Sequence, residues 1–462
     1  MQPHSHPNPV DNLGHPELAR EICLSSDADC CNVCTRLDHL DEEIARAQAI
    51  VQDLLRQRDG FRSQLNQVHP SIVHRFPVEV ASTIFEVYAS NADGKESPFT
   101  LGAVCQRWRD IAWSTPKIWA TLTLSGLRAR RALSETRVQL VDDWLGRSAR
   151  QPLFITLHFS SLNDDRPQFH RLIDVINQHC DHWYSLDLQL PSVLLIRFND
   201  AACDSSTLYK LSMWRSSFSG PDLTIGTLRR IAPRILCMHS ISLDIGAINW
   251  THITHLTLGV LSVDETLQIF RMSPSLYECR FDSIYLREAG SQTESQIPIV
   301  HAILESLHIR FSFSDPRAAE CFFNNVTLPT LKYLDVHGSG DEYHGCILVP
   351  FLMRSSNGLQ NLLIDEDNYP GEDLVRIARL TPSLERLCIR QLDLFYDALT
   401  SHLPDPDSPL SATVDPLLPS LRIFEWIGDG SSLGKFKDQI QFSFTVGLDN
   451  CLHDDRGPAI SS

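Results

Sequence analysis

The residues best spaced for chemistry stand near the N-terminus, where Cys23, Cys30, Cys31 and Cys34 precede His39. Cys31 and Cys34 have metal-ligand spacing, and Cys23 could add a third thiolate to a tetrahedral zinc. A structural zinc site normally brings a second spaced pair, and none follows. The expectation is a reduced segment without metal, with zinc as the alternative. His252 and His255 straddle Ile253 in what reads as a strand, which suits exposed face positions better than ligands. Asp142 with Asp143, and Asp365 with Glu366 and Asp367, read as solvated acids. No phosphate-binding glycine loop, nucleophile elbow or zinc-protease helix motif occurs. The chain is therefore expected to bind rather than catalyse, with no cofactor and no catalytic residue.

Bulk properties narrow the kind of binding. At 462 residues the chain exceeds one ordinary core, so several domains or one elongated array are expected. A net charge of −17 opposes phosphate backbones, which excludes nucleic acid as the main ligand. Arg128, Arg130, Arg131 and Arg137 form a local basic group, read as a solvated face. No apolar run reaches the roughly 20 residues of a membrane span, and the first residues lack a basic-then-apolar signal pattern. The expectation is no membrane partner and a cytoplasmic or nuclear location. Thirteen cysteines, mostly scattered singly through apolar segments, fit free thiols in a reducing compartment.

The elements that would present a binding surface follow in order. Residues 1–34 are polar and without apolar period, and read as a disordered tail. Over 35–70, Leu37, Ile44, Val51 and Leu65 fall in one heptad row and Leu40, Ala47, Leu54, Phe61 and Val68 in another. Together they predict an amphipathic or coiled-coil helix, with Arg58 interrupting the seam and Gly60 weakening the next turn. A homodimer through 37–68 is one expectation, and packing of this helix on its own domain is the other. Residues 71–125 predict a small helical unit. Pro77 suits a first helical position, and Val80, Ile84 and Phe85 have helical spacing. A loop is expected at 91–98. A second helix would then place Leu101, Val104, Cys105, Trp108, Ile111 and Ala112 on one face. Residues 126–149 predict a linker helix.

Residues 150–445 repeat one phrase: apolar, two residues, apolar, one residue, apolar. Nine copies start at Trp183, Leu208, Ile253, Leu276, Leu304, Leu331, Leu359, Leu384 and Leu421, with a weak tenth at Met238. From Ile253 to Leu384 the starts lie 23, 28, 27, 28 and 25 residues apart. That period accommodates a strand, a turn and a helix, as in a leucine-rich α/β solenoid with parallel strands on its concave face. Pro274, Pro329, Pro382 and Pro419 each precede a lead residue by two positions and predict a turn there. The 37-residue gap before Leu421 contains a Pro/Asp-rich stretch at 404–409 that reads as an inserted loop. Residues 446–462 read as a tail.

Residues 76–119 resemble an F-box. The family's apolar-Pro-x-Glu-apolar opening is matched by Phe76, Pro77, Val78, Glu79 and Val80. Its apolar pair is matched by Ile84 and Phe85, and its Val-Cys-x-x-Trp-basic-x-apolar-apolar core by Val104, Cys105, Trp108, Arg109, Ile111 and Ala112, with Trp119 closing the unit. Phe76 stands where the family usually has Leu. With the heptad helix before it, and Trp144 to Ser148, Pro152 and Leu153 and degenerate repeats after it, the chain is similar to fungal F-box proteins over about residues 37–430. The resemblance implies docking on a Skp-type adaptor, and through it on a cullin-RING ubiquitin ligase. Phe76, Pro77, Val80, Ile84, Phe85, Val104, Cys105, Trp108, Ile111 and Trp119 would be the adaptor-binding residues, and the repeats would receive an unknown protein substrate. The rival expectation is a leucine-rich scaffold outside any ligase that oligomerises through its N-terminal helix.

Overall fold

A computed structural model describes residues 32–68, 76–91, 98–125, 133–159, 167–200, 208–216, 224–225, 232–243, 245–287, 298–312, 317–338, 347–355, 358–365, 371–389 and 418–426. The expectations for residues 1–31, the loop at 92–97, Arg128, Arg130 and Arg131, Glu366 and Asp367, the 404–409 insertion and the C-terminal tail lie outside them. So do Cys23, Cys30 and Cys31 and the side chain of Cys34. The chain divides into two compact units, 1–83 and 84–462, each taken by itself.

In the first unit α1 (Asn32–Val68) is one 37-residue helix. Its described heptad residues are all exposed, from Leu37 to Leu65. The unit ends within α2 (Val78–Asn91), which Pro77 precedes and whose first turn closes through Ala81 N to Pro77 O at 3.1 Å.

The second unit is mixed α/β, built on an open twelve-stranded sheet whose strands follow chain order and pair in parallel. These are β1 (Thr121–Ser125), β2 (Leu153–His158), β3 (Trp183–Leu190), β4 (Lys210–Arg215), β5 (Ile235–His239) and β6 (His255–Ser262). They continue as β7 (Glu278–Tyr285), β8 (Ser306–Phe311), β9 (Tyr333–His337), β10 (Asn361–Asp365), β11 (Arg386–Ile389) and β12 (Ile423–Trp426). The middle apolar residue of each phrase is in register with the next: Leu186, Leu211, Leu236, Leu256, Cys279, Leu307, Leu334, Leu362, Leu387 and Phe424 form one buried ladder. Cys279 fills a leucine place in it, and burial pushes its thiol well up, as expected of a packing cysteine.

The predicted proline turns are present and chemically uniform. Leu276, Leu331, Leu384 and Leu421 each donate to the carbonyl three residues back, at 3.1–3.2 Å, with proline in the turn's second position, where its fixed φ belongs. Between strands lie α5 (Glu135–Arg147), α6 (Pro167–Asn177), α7 (Val263–Met272), α8 (Arg317–Asn325), α9 (Leu348–Ser355) and α10 (Gly371–Leu380). Ser262 and Glu265 cap α7 reciprocally, each side chain accepting the other's backbone N–H.

Three expectations need correction. The weak copy at Met238 is out of register: Leu236 and Met238 occupy the two core positions, and the lead place falls on Pro233. The sheet begins at β1 rather than after residue 150, because Leu122 and Leu124 pair with Ile155 and Leu157. The helix read as a linker is thus the crossover between β1 and β2. Finally, the expected second helix of the small unit is two helices, α3 (Pro98–Val104) and α4 (Gln106–Trp113), broken at Cys105, whose φ of −161° and ψ of 170° are extended.

Candidate partner-binding surfaces

The helical residues that open the second unit close around two aromatic groups. Phe85 of α2 packs on Trp108 of α4 with ring centroids 5.0 Å apart. Trp119, at the end of a 3₁₀ turn (Pro116–Trp119), meets Phe99, Trp113 and Trp144 edge-on at 5.2–5.7 Å. Its indole Nε1 donates to Ala112 O at 2.7 Å. Arg147 of α5 covers both Trp113 and Trp119, 5.2 Å from each ring. Trp119 also stands three residues before Leu122, the lead place of the first strand phrase. It therefore joins the helical residues to the sheet.

Cys105 turns the chain so that α4 folds back on α3, and Arg109 Nε fixes the angle by donating to Gly102 O at 2.9 Å. Gly102 is needed for the approach, since a Cβ there would fall inside the Trp113 ring. Gly102→Ala gains helix propensity of about 1 kcal/mol but displaces an indole hemmed by Phe99 and Trp119, so the clash dominates. A net loss of about 1–3 kcal/mol is expected in urea unfolding. A neutral or stabilised variant would contradict this packing.

The ten candidate residues sort by exposure. Phe85, Ile111 and Trp119 are buried, so they build the core rather than face a partner. Phe76, Cys105 and Trp108 are half-buried, and Pro77 and Val80 are exposed. Ile84 is 44% exposed and Val104 is 58% exposed. Val78 and Val87, which the motif does not single out, are exposed as well. Lys117 pairs with Glu86 at 2.9 Å, an exposed contact of small energetic weight.

The second surface is the sheet face that bears the residues between core positions. Toward its start Tyr184 and Tyr209 stack at 5.2 Å with Phe154 beside them, and Trp214 lies 3.7 Å from the His239 ring. His239 Nδ1 reaches Asp282 at 2.8 Å across β6, whose residue in that column is Gly259. Although burial alone would raise it, the Asp282 carboxyl is held below its usual range by His239 and Arg280. Arg386 grips Glu425 of the last strand through two nitrogens at 2.7–3.1 Å.

Toward the far end the face carries a relay of imidazoles and carboxylates. His308 Nδ1 lies 3.0 Å from Asp335 Oδ2, and His337 Nδ1 lies 2.9 Å from Asp365 Oδ2. His337 Nε2 is 2.9 Å from Asp335 Oδ1, an ion pair whose alignment falls short of a hydrogen bond. Burial disfavours charge on both partners, yet the pairing prevails: Asp335 is drawn down to about 2 and His337 up to about 9. Burial and Asp335 push the Tyr333 hydroxyl up to about 12. Among the described residues no group of three or more His, Cys, Asp or Glu is placed to hold a metal ion.

The sign of the pH effect follows. A histidine that titrates near 6.5 unfolded and near 9 folded contributes its full stability below about pH 6.5 and loses it as pH rises to 9. Asp335 contributes above about pH 4 and loses its share as pH falls toward 2. NMR titration of the His337 ring should show a midpoint near 9 in the wild type, moving toward 6.5 in Asp335→Asn. An unchanged midpoint would remove Asp335 as its cause.

The helical segment and the sheet face differ in character. Both are surfaces: one apolar and helical, the other polar, aromatic and laid on rigid strands. No protein-family model matches the chain, and no curated protein matches it. Among the described residues no helix is long and apolar enough to cross a membrane.

Proposed function

We propose that this chain is a substrate receptor of a cullin-RING ubiquitin ligase, with no chemistry of its own. The helical segment 76–119 docks on a Skp-type adaptor, and the parallel sheet, read as the inner wall of a leucine-rich solenoid, holds the target protein. One observation carries the reading. Ile84, Val87 and Val104 remain exposed on helices whose aromatic core is already closed by Phe85, Trp108 and Trp119. A contiguous apolar surface left after a core is complete marks an interaction site, and these side chains supply apolar surface on the helices that carry the motif. They include positions that match the F-box pattern, as does Val80, one turn before Ile84. In this reading Phe76, Pro77, Val80, Ile84, Val104, Cys105 and Trp108 make the contact, while Phe85, Ile111 and Trp119 build the core behind Ile84, Val104 and Trp108.

The period of the strands supports the receptor role. Each strand offers a short row of variable residues in fixed register, so a target meets a rigid template and loses little freedom of the receptor on binding. The aromatic residues Phe154, Tyr184, Tyr209 and Trp214 and the His308 to Asp365 relay are the places where that template is most distinctive. Titrating the full-length chain with purified Skp-type adaptor tests the docking step. A saturable complex with Kd at or below about 1 μM is expected, and no complex at about 50 μM would remove the ligase role.

A further inference from the structure

We propose that α1 pairs with α1 of a second copy of this chain, and that the two helices run antiparallel. The seam is exposed along the described length of the helix, with Leu40 at 50%, Leu54 at 58% and Phe61 at 68%. In heptad letters Leu37, Ile44, Val51, Arg58 and Leu65 are a, and Leu40, Ala47, Leu54, Phe61 and Val68 are d. What selects the occupant is the one large charged residue in that seam and the charges beside it.

In a parallel pair each a residue meets its own copy, which would set Arg58 against Arg58. In an antiparallel pair a meets d. Ile44 then faces Phe61, Val51 faces Leu54, Leu65 faces Leu40, and Arg58 faces Ala47, the smallest residue of the seam. Ala47 leaves room for the arginine stem, and the guanidinium already turns aside to Asp59 Oδ1 at 3.2 Å. The flanking e positions agree with this direction. Asp41 meets Arg62 of the other copy, twice by symmetry, and Leu55 meets Gln48 with no like-charge pair. A two-fold interface demands such self-complementarity, whereas an unrelated partner would not impose it. Gly60 falls at c, outside the seam, so the weak turn does not interrupt the contact.

The test uses the full-length chain alone, without adaptor, so its outcome is separate from that of the ligase reading. Sedimentation should give a dimer. Asp41→Arg and Arg62→Asp should each weaken it about 10-fold, and the double exchange should restore it to within about 2-fold. In a parallel pair Asp41 would instead face Arg36, and the double exchange would rescue nothing. In an Arg62→Lys chain, zero-length carbodiimide coupling of mixed light and heavy copies should link the Asp41 carboxylate of one copy to the new amine at position 62 of the other. Within one helix those two positions stand about 31 Å apart, out of reach. Circular dichroism of each variant should match the wild type, because the substituted side chains are exposed. A monomer at about 100 μM, a failed rescue, or absence of the inter-copy link would each overturn the proposal.

Discussion

Trp119→Ala is expected to cost about 3–5 kcal/mol of folding stability, among the largest single-residue losses in the second unit. The indole is fully buried, donates a 2.7 Å hydrogen bond to Ala112 O, and touches three other aromatic rings and a guanidinium. Its removal leaves a cavity where the helical residues meet β1, and strands that follow in order depend on the first being seated. Trp119→Phe should recover part of the loss, since it keeps most of the ring contacts and forfeits the hydrogen bond. Urea unfolding of both variants measures this. A loss under about 1 kcal/mol for the alanine variant would mean that this cluster is not the join.

The complementary substitution is Ile84→Asp, which should leave folding within about 1 kcal/mol of the wild type while reducing affinity for a Skp-type adaptor about 100-fold or more. Ile84 is exposed in the free chain, so a carboxylate there stays in water until a partner covers it. Binding would then bury an unpaired charge, whose desolvation no contact offsets. Calorimetry of the variant against adaptor, with an unfolding curve as control, separates the two effects. Affinity within about 3-fold of the wild type would place the docking surface elsewhere. Set beside Trp119→Ala, this variant distinguishes the residues that hold the segment together from those that face outward.

Much of the sheet is legible in the sequence because its rule is local. A strand with one buried face must place apolar residues two apart, and a lead residue three earlier fills the turn beneath it, so the phrase reappears in most strands of the large sheet. The failures have equally local causes. At β5 the lead place is Pro233, which suits a turn before a strand but breaks an apolar template, so the template fits better, and wrongly, at Met238. At β1 the lead residue is Trp119, whose part in the F-box pattern hides its part in the repeat. The break at Cys105 leaves no trace in apolar spacing, because α3 and α4 keep helical periodicity on either side of a single extended residue. The candidate residues can be found by type, yet type cannot tell Phe85 from Ile84: adjacent on one helix, they face opposite environments. The relay of His308, Asp335, His337 and Asp365 is invisible in the sequence for another reason. Its members come from three strands and become neighbours only through register.

Reconstitution tests the central claim most directly. The full-length chain, a purified Skp-type adaptor and a cullin-RING pair are mixed and resolved by size-exclusion chromatography. Co-elution of all components in one assembly, lost when the chain carries Ile84→Asp, is the predicted result. Elution of the wild-type chain apart from an otherwise intact adaptor and cullin complex would contradict it.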